Sequence, residues 1–255
     1  MQRQVIPERN TMVSVKDAIC RIPIPAAGLI LGLAALGNLL SSYGTIFKTL
    51  LGIISLLILV LLLIKLTCNA KTVMEDLQNP AIAGIAATFP MGVIVLSTYI
   101  NPFYPLISYS VCGIGILIQC ILIIYYTKKF IIKFTIQNIF PSSFVVYVAI
   151  AIFSVIAPVF NATWLGRISF WFGFISYLIL LPMIIYRVLA IKSIPKPLLP
   201  TLTIFAAPAS LCLVGYLNSF QEKNMIIIWI LTSLSLTMLF GYLFHIRKSN
   251  ITWSK

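Results

Sequence analysis

The chain has 255 residues, 60% of them hydrophobic and only 9% charged. That balance excludes an ordinary soluble domain, whose surface would need far more polar side chains. The net charge of +13 would point to nucleic acid in a soluble protein, but in a membrane protein it reflects Lys and Arg gathered on one side of the bilayer, so no nucleic-acid partner is expected.

The first 21 residues are polar and of mixed charge, with Arg3, Glu8, Arg9, Lys16, Asp17 and Arg21. A signal peptide would place its apolar stretch within the first dozen or so residues, so residues 1–21 read as a cytosolic tail. Eight apolar stretches follow: Ile22–Leu40, Ile46–Leu66, Ala81–Ile100, Leu106–Tyr126, Phe144–Phe160, Leu165–Arg187, Thr201–Phe220 and Met225–His245. Ile46–Leu66 is the plainest. At about 1.5 Å rise per residue it reaches about 31 Å, the thickness of the hydrocarbon core. Residues 22–245 are therefore expected to form an all-α transmembrane domain of about eight helices, with 246–255 a second cytosolic tail.

Basic residues orient these spans. With the N-terminus inside, the two tails and the even-numbered connections hold fifteen of the eighteen Lys and Arg, and only Lys48, Arg167 and Lys223 fall outside. Cytoplasmic connections carry such an excess. Both termini are thus expected in the cytosol of a multi-pass protein of the plasma membrane, and the Ile- and Lys-rich composition points to a bacterial inner membrane.

Odd and even spans differ. The first and third are rich in Gly and Ala, and the fifth and seventh carry Ala, Ser and Pro. The second is almost entirely Leu and Ile, and the eighth begins MIIIWILT. Small residues let helix backbones approach closely, whereas bulky aliphatics suit lipid. The odd spans read as an inner set and the even ones as an outer set. Pro25, Pro80, Pro141 and Pro200 stand at or just before successive odd spans, 55, 61 and 59 residues apart. That rhythm predicts a helical hairpin of one inner and one outer helix used four times.

The chemistry available is sparse. The acids Glu8, Asp17, Glu75, Asp76 and Glu222 all lie outside the spans, and the one histidine, His245, ends the last. This leaves no carboxylate proton relay, no Ser-His-Asp triad, no zinc site and no paired-carboxylate mechanism. Neither an enzyme nor a cofactor is expected. The five cysteines form no CxxC pair, and Cys112, Cys120 and Cys212 read as small buried hydrophobes. Asn161, Ala162 and Thr163 match a glycosylation pattern, but one that hugs the membrane and is not adopted.

Backbone and shape remain. Pro90 and Pro208 fall inside inner spans and Pro158 near the end of a third, each removing a helix hydrogen bond and favouring a kink; Pro182 does so in an outer span. Freed backbone groups in a membrane must face protein or a water-filled cavity, so the kinks predict a central pathway. Gly28 and Gly32 form a GxxxG with Ala35 on the same face, which serves either helix packing or the pathway wall. Phe89, Phe153 and Phe205 lie near small residues on inner spans, where an aromatic either packs or obstructs a narrow pore. The expected pore lining is Gly28, Gly32, Phe89, Pro90, Phe153, Pro158, Phe205, Ala207 and Pro208. A lumen without fixed negative charge lacks ligands for cations and is open to anions held by hydroxyls, amides and helix N-termini.

Four stretches carry a resemblance: IPIPAAGLILGLAALG in the first span, EDLQNPAIAGIAATFP leading into the third, PSSFVVYVAIAIFSV in the fifth and LLPTLTIFAAPASLCLVGYL in the seventh. In this order and spacing, from about Ile22 onward, the chain resembles the tellurite-resistance/dicarboxylate transporter family, which includes the plant slow-type anion channels and the yeast malate permease. The resemblance implies inner helices kinked at prolines around a central pore, here at Pro90, Pro158 and Pro208. It also implies channel-like or proton-linked movement of small inorganic anions (chloride, nitrate, sulfite) or C4-dicarboxylates such as malate, and homotrimers in the lipid bilayer. That family has five hairpins, and its gating phenylalanine lies on a ninth helix. With eight spans this chain reads as a shortened member, the alternative function being a non-transporting scaffold or partner subunit. Translating the downstream DNA for a further Gly- and Ala-rich hairpin tests the shortening.

Overall fold

The structure, a computed structural model, describes residues 22–132, 140–187 and 204–253, with side chains of the last helix as far as residue 241. The described residues are helical and joined by short turns. In chain order the helices are α1 (Ala27–Leu40), α2 (Thr45–Cys68), α3 (Ala70–Asp76), α4 (Pro80–Ala86), α5 (Thr88–Ile100) and α6 (Pro105–Tyr126). They continue as α7 (Ser143–Val148), α8 (Ile152–Ile156), α9 (Thr163–Tyr186), α10 (Ala207–Ser219) and α11 (Met225–Trp253). The predicted N-terminal tail, Lys133, Lys192, Lys196, Pro200 and the start of the seventh span lie outside the described residues. Helix α11 runs past His245 to Trp253.

Burial separates two sets of spans. In Pro80–Ile100 and Ser143–Phe160, 78% and 67% of the most apolar window is buried. In Thr45–Cys68, Pro105–Ile131 and Thr163–Tyr186 the shares are 22%, 22% and 28%. Leu- and Ile-rich spans thus leave most of their surface for lipid, and the small-residue spans are enclosed, as close backbone approach requires. Each inner element packs on the outer helix that follows it: α1 on α2, α5 on α6, α7 and α8 on α9, α10 on α11. These are the four hairpins. The inner elements also touch in sequence order, α1 to α5 to α8 to α10, forming an inner row.

The inner spans are interrupted for identifiable reasons. Pro90 has no N–H for the carbonyl of Ala86, and its ring would collide there. The chain accordingly turns at Ala87 between α4 and α5. Beside this break the Thr88 hydroxyl donates to the Ile85 carbonyl at 2.8 Å. In the fifth span a 3-10 turn at Ala149–Ala151 divides α7 from α8, and a second at Ala157–Phe160 ends the span. Pro158 belongs to the second turn; the first contains no proline. Pro208 occupies the second position of α10 rather than its interior, where a missing N–H has no helical partner to lose. Pro182 does lie inside α9.

Two apolar clusters join the rows. Ile30, Ile94, Val95 and Phe153 bring together α1, α5 and α8. Phe144, Tyr177, Cys212 and Leu231 bring together α7, α9, α10 and α11.

Candidate functional site

Helix α1 has two faces of different use. Ala27, Ile30, Ala34 and Gly37 are buried, on the side held to its neighbours by three hydrogen bonds. The Tyr99 hydroxyl of α5 donates to the Ala34 carbonyl at 2.6 Å. Ser55 Oγ of α2 donates to the Ile30 carbonyl at 2.8 Å. Asn38 Nδ2 donates to Thr98 Oγ1 at 3.0 Å. The other face carries Gly28, Gly32 and Ala35. A Cβ added at Gly28 or Gly32 would meet nothing within 4 Å, and Gly32 and Ala35 are exposed. The GxxxG therefore makes no helix contact among the described residues; it leaves a smooth, uncharged flank on an inner helix.

The α8–α10 seam shows what Pro158 does. In a regular helix its N–H would serve the carbonyl of Ser154. Instead Ser219 Oγ of α10 donates to that carbonyl at 2.6 Å, and Asn218 Nδ2 donates to the Val155 carbonyl at 2.8 Å. Further along the turn, Asn101 Nδ2 reaches the Val159 carbonyl at 3.4 Å and the Tyr109 hydroxyl reaches that of Phe160 at 3.1 Å. Backbone acceptors that lose helical donors at membrane depth must find others, and here α10, α6 and the turn after α5 supply them. The proline-free turn at Ala149–Ala151 has a similar device: Gln119 Nε2 of α6, fully buried, donates to the Val146 carbonyl at 2.8 Å.

The predicted aromatics fall in three separate places. Phe153 is buried against Phe160, ring centroids 6.5 Å apart, in the cluster shared with α1 and α5. Phe205 is buried edge-on to Phe144 at 5.8 Å, in the cluster shared with α9. Phe89 is half-buried and lines an apolar cavity between α1, α2 and α6. Pro90 and Pro208 are buried beside them, whereas Pro158 and Ala207 are exposed. The structure therefore does not gather the nine residues at one constriction. The exposed, small members are Gly32, Pro158 and Ala207, each on a different inner element.

Charge sits at the ends of the helices. Among the described residues the acids are Glu75 and Asp76 on α3 and Glu222 between α10 and α11. Lys48 lies 5.0 Å from the Tyr99 ring centroid, and Arg167 Nε donates to the Ser219 carbonyl at 3.1 Å. At the opposite end Lys65 and Arg187 are buried. Lys65 donates to the Ile22 carbonyl, and the Arg187 guanidinium lies over the Phe140 ring at 4.0 Å. The hydroxyls of Ser97, Thr98, Ser154 and Ser210 donate back to carbonyls three residues earlier in their own spans. Charge of both signs therefore stands at the two ends, and the described stretches between them are uncharged. Sequence reasoning missed Gln119, Ser219 and Asn218. A lone amide inside the apolar fourth span was the signal for the first; nothing in the sequence pairs the other two with Pro158.

Compared with known protein families, the chain matches the model SLAC1, described as voltage-dependent anion channel, over residues 21–253. No curated protein matches it.

Proposed function

This chain belongs to the voltage-dependent anion channel family, and from that premise we propose that it moves small anions through a passage beside its inner helices. Membership implies a multi-pass membrane protein that transports anions and is not an enzyme. The proposed cargo is chloride, nitrate, sulfite or a C4-dicarboxylate such as malate, carried by a channel or a secondary transporter. The family match over nearly the whole chain is the observation that carries this reading. Two further features support it: an absence of carboxylates from the described spans, and an uncharged face on α1 that packs against no other described helix.

We assign the wall of the passage to Gly28 and Gly32 of α1, Pro158 at the end of the fifth span and Ala207 of α10. Phe89, Pro90, Phe153, Phe205 and Pro208 shape the helices behind it. The proposal includes a homotrimer in the plasma membrane, with both termini in the cytosol. Vesicles reconstituted with the purified protein and loaded with each anion are expected to dissipate an imposed gradient faster than empty vesicles. Absence of flux for all four anions would overturn the proposal and leave the non-transporting scaffold.

A further inference from the structure

The turn at Ala157–Phe160 that ends the fifth span lies directly against the start of α9. A Cβ added at Gly166 would stand 2.4 Å from Ser219 Oγ and 2.6 Å from the Cβ of Ala157, so the missing side chain is what lets α9 come this close. The next residue is Arg167. It is exposed and lies four residues past the start of α9, about 6 Å along the helix axis. Pro158, an exposed member of the proposed wall, directly follows Ala157. The close approach at Gly166 therefore sets a cation beside the end of that wall.

Two contacts hold the Arg167 guanidinium in place, and neither cancels its charge. Nε donates to the Ser219 carbonyl at 3.1 Å, and the guanidinium carbon lies 5.7 Å from the Phe220 ring centroid. Ser219 in turn donates to the Ser154 carbonyl at 2.6 Å, the acceptor that Pro158 leaves without a helical N–H. A guanidinium has five N–H donors, and the hydrogen bond to Ser219 uses one. The charged residues described at this end are Lys48, Arg167 and Lys223 against Glu222, a positive balance. A cation at a narrow, low-dielectric entrance raises the local concentration of anions and their rate of arrival, and salt removes the effect.

We propose that Arg167 gathers small anions at this mouth of the passage and speeds their entry. The inference rests on the reading that the chain moves anions beside its inner helices. It adds the residue that sets how fast they arrive.

Flux into vesicles containing the full chain, measured with the fastest of the four anions and normalised to incorporated protein, tests it at two ionic strengths. At about 0.01 M the Debye length is about 30 Å, and at about 1 M, made up with sodium gluconate on both sides, it is about 3 Å. At the lower ionic strength Arg167→Gln is expected to slow the initial flux severalfold, and Arg167→Lys to keep most of the wild-type rate. At the higher one all three proteins are expected to run alike. Lost packing at Ser219 would instead slow flux equally at both ionic strengths and would affect Arg167→Lys as well. Should Arg167→Gln misfold, a chain with Arg167→Cys as its only cysteine carries the test, because charge is then added after folding. A thiosulfonate bearing an ammonium group is expected to restore the low-salt rate, and a neutral reagent of similar size to leave it low. Wild-type flux combined with a salt-independent loss in Arg167→Gln, or with no loss, overturns the proposal and leaves transport standing. Absence of wild-type flux for all four anions overturns the transport reading, and this proposal with it.

Discussion

At the residue scale the most informative atoms are backbone carbonyls rather than charged groups. Ser154 loses its helical donor to Pro158 and gains Ser219 Oγ at 2.6 Å. Interhelical hydrogen bonds in membranes average about 0.6 kcal/mol, whereas an unsatisfied buried acceptor costs about 1–3 kcal/mol. Because Ser219 is 1% exposed, water does not replace it, and the second figure governs. Ser219→Ala is expected to destabilise the folded protein by about 1–2 kcal/mol, read as a lower midpoint of unfolding in mixed micelles. Asn218→Ala, at an exposed position, should cost less. Combining Ser219→Ala with Pro158→Ala restores an N–H for Ser154 and should recover part of the loss; a purely additive double mutant would refute this role for Ser219. Glycines divide in the same physical way. A Cβ at Gly84 would stand 2.8 Å from the backbone carbonyl carbon of Ser142, which no rotamer change relieves. Gly84→Ala should therefore cost about 1–3 kcal/mol by overpacking, while Gly28→Ala, in open space, should leave the unfolding midpoint nearly unchanged.

At the element scale the two rows of helices obey opposite rules. Outer spans are long, regular and bulky. Inner spans are broken into short helices whose ends are fastened by side chains from neighbours. Exposure alone does not tell lipid from water: Leu57 on α2 is 60% exposed, and Gly32, Ala35 and Ala207 are exposed as well. Single cysteines at these positions, in a background without the native ones, separate the two environments. A membrane-impermeant thiol reagent is expected to label positions 32, 35 and 207 and to spare position 57. Equal labelling at all four would remove the distinction between a wet inner flank and a greasy outer one.

At the scale of the whole molecule, the distribution of charge predicts how the protein responds to a field. Moving one elementary charge across the membrane is worth about 2.3 kcal/mol per 100 mV. A steep voltage sensor therefore needs several charged side chains inside the spans. Here Lys48 and Arg167 lie near the starts of α2 and α9, and Lys65 and Arg187 lie at the opposite ends of the same helices. In planar bilayers the current–voltage relation is expected to be close to linear, reversing near the equilibrium potential of the anion. Activation as steep as that of a channel with several gating charges would contradict this charge map, whatever the family's name implies.

Much of this was legible from the amino-acid order alone. Twenty-residue apolar runs, small residues in alternate spans and prolines at regular intervals determine the hairpins and which helix of each pair faces lipid. Composition decides these features, because hydrocarbon rewards bulk and close packing rewards its absence. Where the inner spans break was only half legible. Pro90 does interrupt its span, but the turn at Ala149–Ala151 has no proline, and Pro208 opens a helix rather than bending one. The tertiary structure alone decided which groups repair those breaks. Ser219 meets Ser154 and Gln119 meets Val146 across 65 and 27 residues, and such pairings depend on how helices are docked, not on any local pattern. The same holds for Phe89, Phe153 and Phe205, which look alike on their spans yet end in three different surroundings, because the docking of each span within the bundle sets where its ring points.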